Sequence, residues 1–256
     1  DRLSRGLGDV YKRQEKEGEF IQINDSIIQI ENEYYSSIRP KRIVGSGERP
    51  INALKEKGIE YVEVRCMDNN PFEPLGISAE TSHFLEAYLM TCLADENKFA
   101  SKEEIVEIQT NWQNVVKDGR NPDLNILVNG KEINIRDAAN SVLEKIKIFN
   151  SSITDKADNL KTNIINSIAL QEKKIENSDL TPSGKILKII KDNDMTWTDF
   201  NLELYEEHKR YFSSLTKNLS YLEKEAKTSL VKFNELEKEE EIPFADFLKN
   251  YLNALN

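Results

Sequence analysis

The chain reads as an α+β protein, with strands confined to its early part and helices filling the rest. Three observations carry that reading. Apolar and polar residues alternate between positions 19 and 68, the period of a half-buried strand. From Ser78 onward apolar residues recur every three or four positions, the period of a helix face. The one later interruption is "NILVNGKEINI" at 125–135, where Asn129-Gly130 sits between two apolar runs, the strongest short signal for a hairpin. The expected organisation is residues 15–77 as a partial sheet and 78–256 as a helical region, with the small hairpin inside it.

In chain order, residues 1–14 (DRLSRGLGDVYKRQ) are basic and lack periodicity. They resemble a translated sequencing-adapter sequence and are set aside from fold reasoning. There is no initiator Met, and the natural protein is expected to continue upstream. "EFIQI" and "IIQIENEYY" flank the turn-prone Asn24–Ser26 and predict a hairpin with Ile21, Ile23, Ile28 and Ile30 on one face. Gly45–Pro50 is a loop. A short helix over Ile51–Gly58 ends on its glycine, and "GIEYVEVRCMDNNPFEPLG" (58–76) opens as a strand.

Ser78 caps a helix whose apolar positions are Phe84/Leu85, Tyr88/Leu89 and Cys92/Leu93. Ser101–Glu104 is a capping box. It opens a helix with Ile105, Ile108, Trp112 and Val115/Val116 on one face, stopped at Gly119. Helices follow near 136–150 and 157–176. Thr181-Pro182 pairs a cap with proline at the first helical position. Thr198 starts another helix, and Ser220–Glu223 reads as a further capping box. Pro243 separates the last helix, "FADFLKNYLNAL".

Composition narrows the function classes. A net charge of −10 over 256 residues argues against a broad nucleic-acid or anionic-membrane footprint. It leaves room for a small anion met by local cations. No apolar run is long enough to span a bilayer. Cys66 and Cys92 form no disulfide framework; both thiols are expected to be buried as small hydrophobes, in a reducing, cytoplasmic setting.

The strand at 58–68 raises a question of charge. Alternation puts Glu60, Val62, Val64 and Cys66 on one side, a candidate core face, and Tyr61, Glu63, Arg65 and Met67 on the other. Glu63 and Arg65 therefore project from the same side, about 7 Å apart at strand rise. An unpartnered buried pair is unfavourable. A site that takes a hard cation at the carboxylate and a phosphoryl oxygen at the guanidinium gives both groups a partner. The plainer reading is an ordinary salt-bridged sheet face, since Glu-x-Arg on a strand is weakly specific.

Longer motifs weigh on that choice. "QINDSIIQIENEYYSSIRPKR" at 22–42, "GERP" at 47–50 and "GIEYVEVRCMDNNPFEPLGI" at 58–77 resemble, in order, the C-terminal half of bacterial-type glutamate–cysteine ligases. "NWQNVVKDGRNPDL" at 111–124, "LTPSGKIL" at 180–187 and the "FADFLKNYL" ending fit the same family. The resemblance implies a curved antiparallel sheet of the glutamine-synthetase type with helices outside it. It implies an ATP-dependent ligation of the γ-carboxylate of L-glutamate to the amine of L-cysteine through a γ-glutamyl phosphate, with Mg²⁺ or Mn²⁺, in a monomeric parent.

Carried onto this sequence, it makes Glu63 a metal ligand and Arg65 a contact to the transferring phosphate. It makes Tyr35 part of the cysteine site, and Arg39 and Lys41 anion-binding neighbours. His83 and His208 receive no role from it, and Arg120, which follows the helix-ending Gly119, has the plainer reading of a contact to the helix dipole. The family's first part, which supplies most acidic ligands, is not in this sequence, so the chain alone is expected to be inactive, with exposed, aggregation-prone sheet edges. The rival readings are another carboxylate–amine ligase of the same superfamily and a non-enzymatic helical scaffold.

Overall fold

The computed structural model describes residues 15–16, 19–20, 22–23, 27–30, 33–45, 48–65, 67–96, 98–153, 158–215, 219–238 and 242–253. The architecture is α+β, as expected. Among the described residues, three two-stranded antiparallel ladders are interspersed with helices. Strand β1 (Glu15–Lys16) pairs with β2 (Glu19–Phe20), β3 (Ile38–Lys41) with β4 (Tyr61–Val64), and β5 (Asn125–Val128) with β6 (Lys131–Asn134). Two compact units emerge, one of Asp1–Asp68 with Lys217–Asn256 and the other of Asn69–Thr216. The last helices group with the segment that carries β1–β4.

The first unit holds β1–β4, helix α1 (Pro50–Lys57), helix α8 (Leu219–Leu236) and helix α9 (Phe244–Asn253). Helix α1 starts on Pro50 at its first position and ends at Gly58, whose φ of 74° lies in the left-handed region. Arg42, just after β3, donates from Nη1 to the Lys57 carbonyl at 2.6 Å. It thereby satisfies a terminal helix acceptor and ties β3 to α1. Ala53 and Leu248 are buried, and Arg49, only 5% exposed, lies over the Tyr251 ring at 4.7 Å.

The expected hairpin around Asn24–Ser26 is not formed by the described part of its second arm. Residues 27–30 lie outside any strand, and Ile27 and Ile28 are exposed. Alternation marks a face suited to burial, but it does not by itself supply the partner strand that a ladder needs. Ile21 and the turn itself fall outside those residues, as do positions 1–14 and Cys66.

The second unit contains α2 (Ala79–Ala94), α3 (Lys102–Asp118), the β5–β6 hairpin, α4 (Ile135–Ser152) and α5 (Asp158–Glu176). A 3₁₀ turn at Ser178–Leu180 leads to α6 (Pro182–Asp192) and α7 (Trp197–Ser214). Its core is apolar and helical. Ala87, Leu143, Ile146, Ile164 and Ile168 are buried together where α2, α4 and α5 meet, with Phe84 and Ile175 packed against them. Phe200 is buried beside Phe72 and Trp197.

Local signals start these helices. Ser78 accepts from the Thr81 N–H, and Ser101 with Glu104 closes a reciprocal capping box. Thr181 accepts from Gly184 N, with Pro182 next. Gly184 admits no side chain, because a Cβ there would lie 2.6 Å from the Ser178 carbonyl oxygen.

Four expectations are corrected. The cap of α7 is Thr196, which forms its own box with Asp199, not Thr198; the better acidic partner three residues on decides the start. Ser220 lies inside α8 rather than capping it. Helix α2 turns Ala87, Phe84 and Thr91 inward, which leaves Cys92 exposed rather than buried. The apolar stripe of α3 is also exposed, with Ile108 at 60% and Trp112 at 52%. That helix turns its polar edge to the hairpin instead. Asn111 donates to the Leu127 carbonyl at 2.6 Å and accepts from the Leu127 N–H at 2.8 Å, and Glu107 accepts from Gly130 N–H at 2.8 Å. Hairpin backbone groups claim these side chains, and the apolar stripe follows geometrically onto the opposite side.

Candidate active site

The charged face anticipated on β4 exists, and a second strand enlarges it. The register sets Arg39 opposite Glu63 and Lys41 opposite Tyr61. Directly opposed residues of an antiparallel pair share a side, so Arg39 and Lys41 project with Tyr61, Glu63 and the following Arg65. Pro40 occupies the alternate position opposite Val62.

Glu63 is the hub of this face. Its Oε1 lies 3.0 Å from Arg65 Nε, and its Oε2 accepts from Arg65 Nη2 at 3.1 Å, a two-point fork. Oε2 also lies 3.0 Å from Lys41 Nζ. Hydrogen bonds from Arg65 and then Lys41 hold the Glu63 carboxyl below its ordinary range. The same Glu63 bond holds the Arg65 guanidinium above its ordinary value. Tyr35 completes the group from the segment before β3. The Arg65 guanidinium carbon sits 4.9 Å from its ring centroid, a cation–π contact, while Tyr35 as a residue remains 65% exposed.

The five residues singled out from the sequence thus gather on one ladder face: Tyr35, Arg39, Lys41, Glu63 and Arg65. Three cations and one carboxylate leave that face net positive within a chain of net charge −10.

The other face departs from expectation. Val62 is 42% exposed and Val64 half-buried, so it is no closed core among the described residues. A two-stranded ladder cannot cover its own sides. Glu60 serves the strand end instead: its Oε2 accepts from Ile43 N–H at 3.1 Å.

Among the described residues, no three acidic, histidine or cysteine side chains gather as a metal cage. Glu63 is the one carboxylate this ladder face offers a hard cation, and both of its oxygens are shared with Arg65 and Lys41 here. His83 and His208 lie on α2 and α7, in the other unit. Sequence pattern alone had not indicated that Lys41 shares Glu63 with Arg65, because that depends on strand register.

Comparison with known proteins identifies the setting. The family model described as glutamate-cysteine ligase matches residues 10–115, a range that includes both strands of this ladder. A glutamate–cysteine ligase of Pseudomonas savastanoi pv. phaseolicola is 38% identical over 261 residues, covering 98% of this chain and 48% of the relative. That of a Janthinobacterium species is 37% identical over 257 residues, covering 97% and 48%. The crystal structure of the Francisella tularensis glutamate–cysteine ligase in complex with AMP superposes with a TM-score of 0.81 at 32% identity, over 99% of this chain and 51% of that one. The chain spans about half the length of the curated relatives it matches. Sequence and fold thus agree, over almost the whole length of this chain, with about half of a glutamate–cysteine ligase.

Proposed function

We propose that this chain supplies the phosphoryl-facing part of an ATP-dependent ligase that joins the γ-carboxylate of L-glutamate to the amine of L-cysteine. A γ-carboxylate oxygen attacks the terminal phosphorus of ATP, the bond to ADP breaks, and γ-glutamyl phosphate results. The cysteine nitrogen then attacks the acyl carbon, the C–O bond to phosphate breaks, and the nitrogen loses its proton. Transfer of this kind depends on alignment and charge neutralisation more than on covalent help.

The observation that carries the reading is the forked Glu63–Arg65 pair on a cationic ladder face. Arg65 offers planar N–H donors to phosphoryl oxygens, and Glu63 fixes the direction in which they point. Lys41 adds a second cation within reach of the same carboxylate. Arg39 reinforces the positive side for the incoming anion. Tyr35, held under Arg65 and exposed as a residue, presents a hydroxyl to the carboxylate of cysteine. When bound, Mg²⁺ or Mn²⁺ supplies further neutralisation of phosphate charge, with Glu63 as one of its ligands. The AMP in the Francisella ligase supports a nucleotide-using reaction.

The test is phosphate release. A chimera that joins residues 15–256 to the segment its Pseudomonas relative carries and this chain does not should release phosphate only when ATP, glutamate and cysteine are all present. The chain by itself should read background. Turnover that does not depend on glutamate and cysteine would overturn the substrate assignment.

A further inference from the structure

The second unit carries a cavity that the ligase reading does not use. It has a volume of about 410 Å³ and sits where the N-terminal end of α4 meets the C-terminal end of α5, beside the turn after α3. That is within the range of small-molecule pockets, about 300–1,000 Å³. Its lining divides by chemistry along the helices. Arg120, Arg136 and Lys174, with the hydroxyl-bearing Ser178 and Thr181, belong to the turn, the two helix ends and the 3₁₀ segment. Phe84, Ala139, Val142 and Leu143 supply apolar lining. From Arg136 to Val142 is six positions along α4, about 9 Å at 1.5 Å per residue.

Two lysines further along α4 are ion-paired. Lys145 pairs with Asp95, and Lys147 with Glu144 and Glu172. Among the described residues, no carboxylate lies within ion-pair distance of Arg120, Arg136 or Lys174. Arg136 and Lys174 are half-buried. The one side-chain partner of Lys174 there is the neutral Gln171 oxygen at 3.3 Å. Burial first, and the nearby Lys185 second, pull the Lys174 ammonium below the ordinary lysine value. Cations brought partly out of water without counter-charges are costly, and an anion placed among them relieves that cost.

We propose that this cavity binds a small amphipathic anion, a carboxylate with a short aliphatic tail. The head is met by Arg136, Lys174 and Arg120, and the tail lies along Val142, Leu143 and Phe84. The head alone would face an open, hydrated mouth, and the tail alone would leave the three cations unmatched, so both parts are needed for affinity.

Octanoate, octan-1-ol and acetate separate the contributions. Titrated into the chain and followed by methyl and amide NMR shifts, octanoate should saturate with shifts centred on Ala139, Val142 and Ile175. Its affinity should be at least tenfold above that for octan-1-ol and for acetate. R136Q/K174Q should weaken octanoate at least tenfold and leave octan-1-ol unchanged. V142W, which fills the cavity but keeps the cations, should abolish the saturable shifts, with circular dichroism checking that each variant folds. Equal affinity for octanoate and octan-1-ol would overturn the proposal. So would equal affinity for octanoate and acetate, shifts centred on the exposed α3 stripe, or no saturable shift at millimolar octanoate. The unsubstituted chain alone can deliver each of those results, so a variant that failed to fold would not shelter the idea.

Discussion

Two ladders of the same size do opposite things in this protein. The β5–β6 hairpin and the β3–β4 pair each align four residues with four, antiparallel. The hairpin is tied to its surroundings by backbone groups: Asn111 grips both the N–H and C=O of Leu127, Glu107 takes Gly130 N–H, and Asn134 donates to the Pro122 carbonyl at 2.8 Å. Its turn is closed locally, with Asn129 at φ 53° and Gly130 at φ 73°. The β3–β4 ladder instead spends its side chains on charge, with Glu63 shared by Arg65 and Lys41. A short ladder can thus serve as a strut or as a display surface. Which it becomes depends on whether neighbouring side chains satisfy its backbone or its own side chains satisfy one another.

The largest expected effect breaks the display ladder. In the full-length chimera, R65A should lower kcat about 10²–10³-fold, the scale seen when a preorganised donor to developing charge is removed, and should leave the melting temperature close to that of the parent. On the strut the pattern should reverse. N111A leaves two half-buried backbone groups of Leu127 unmatched and should cost about 1–3 kcal/mol in denaturant unfolding. Restoring stability with N111Q would show that any amide suffices, whereas an unchanged midpoint for N111A would remove the strut from the account. G130A should follow at about 1 kcal/mol, since an L-residue in the left-handed region is strained.

The smallest effect is pH-dependent. The folded Glu63 carboxyl titrates below its unfolded value of about 4.3. Its stabilisation is therefore fully present above that value and is lost as pH falls through the folded pKa. The stability gap between the parent and E63Q should be constant near neutrality and close as pH drops below about 4. A gap that widens on acidification would contradict the ion pair.

Much of this was legible from residues whose signal is local. Ser101 with Glu104, Thr181 with Pro182, and Asn129 with Gly130 act within four positions, and no tertiary contact overrides them. The side shared by Glu63 and Arg65 followed from strand alternation, and the family resemblance drew attention to Tyr35, Arg39 and Lys41. The features that local pattern does not carry depend on contacts distant in sequence. The α3 stripe of Ile105, Ile108 and Trp112 has the period of a core face, yet the hairpin's demand for Asn111 and Glu107 turns it outward. Cys92 lies one position around α2 from the half-buried Thr91, too small a separation for a pattern to resolve. The Arg136–Lys174 cavity needs the antiparallel meeting of α4 and α5 before its cations come together.

The central claim is that Glu63 and Arg65 act as one unit on the transferred phosphoryl group. A double-mutant cycle on kcat in the chimera, with E63Q, R65A and the pair, tests it most directly. The account predicts a large loss for each single change and a double variant no worse than about threefold below R65A, because the second change removes a partner already without function. Two independent losses that multiply, or either single variant working at the parent's rate, would contradict it.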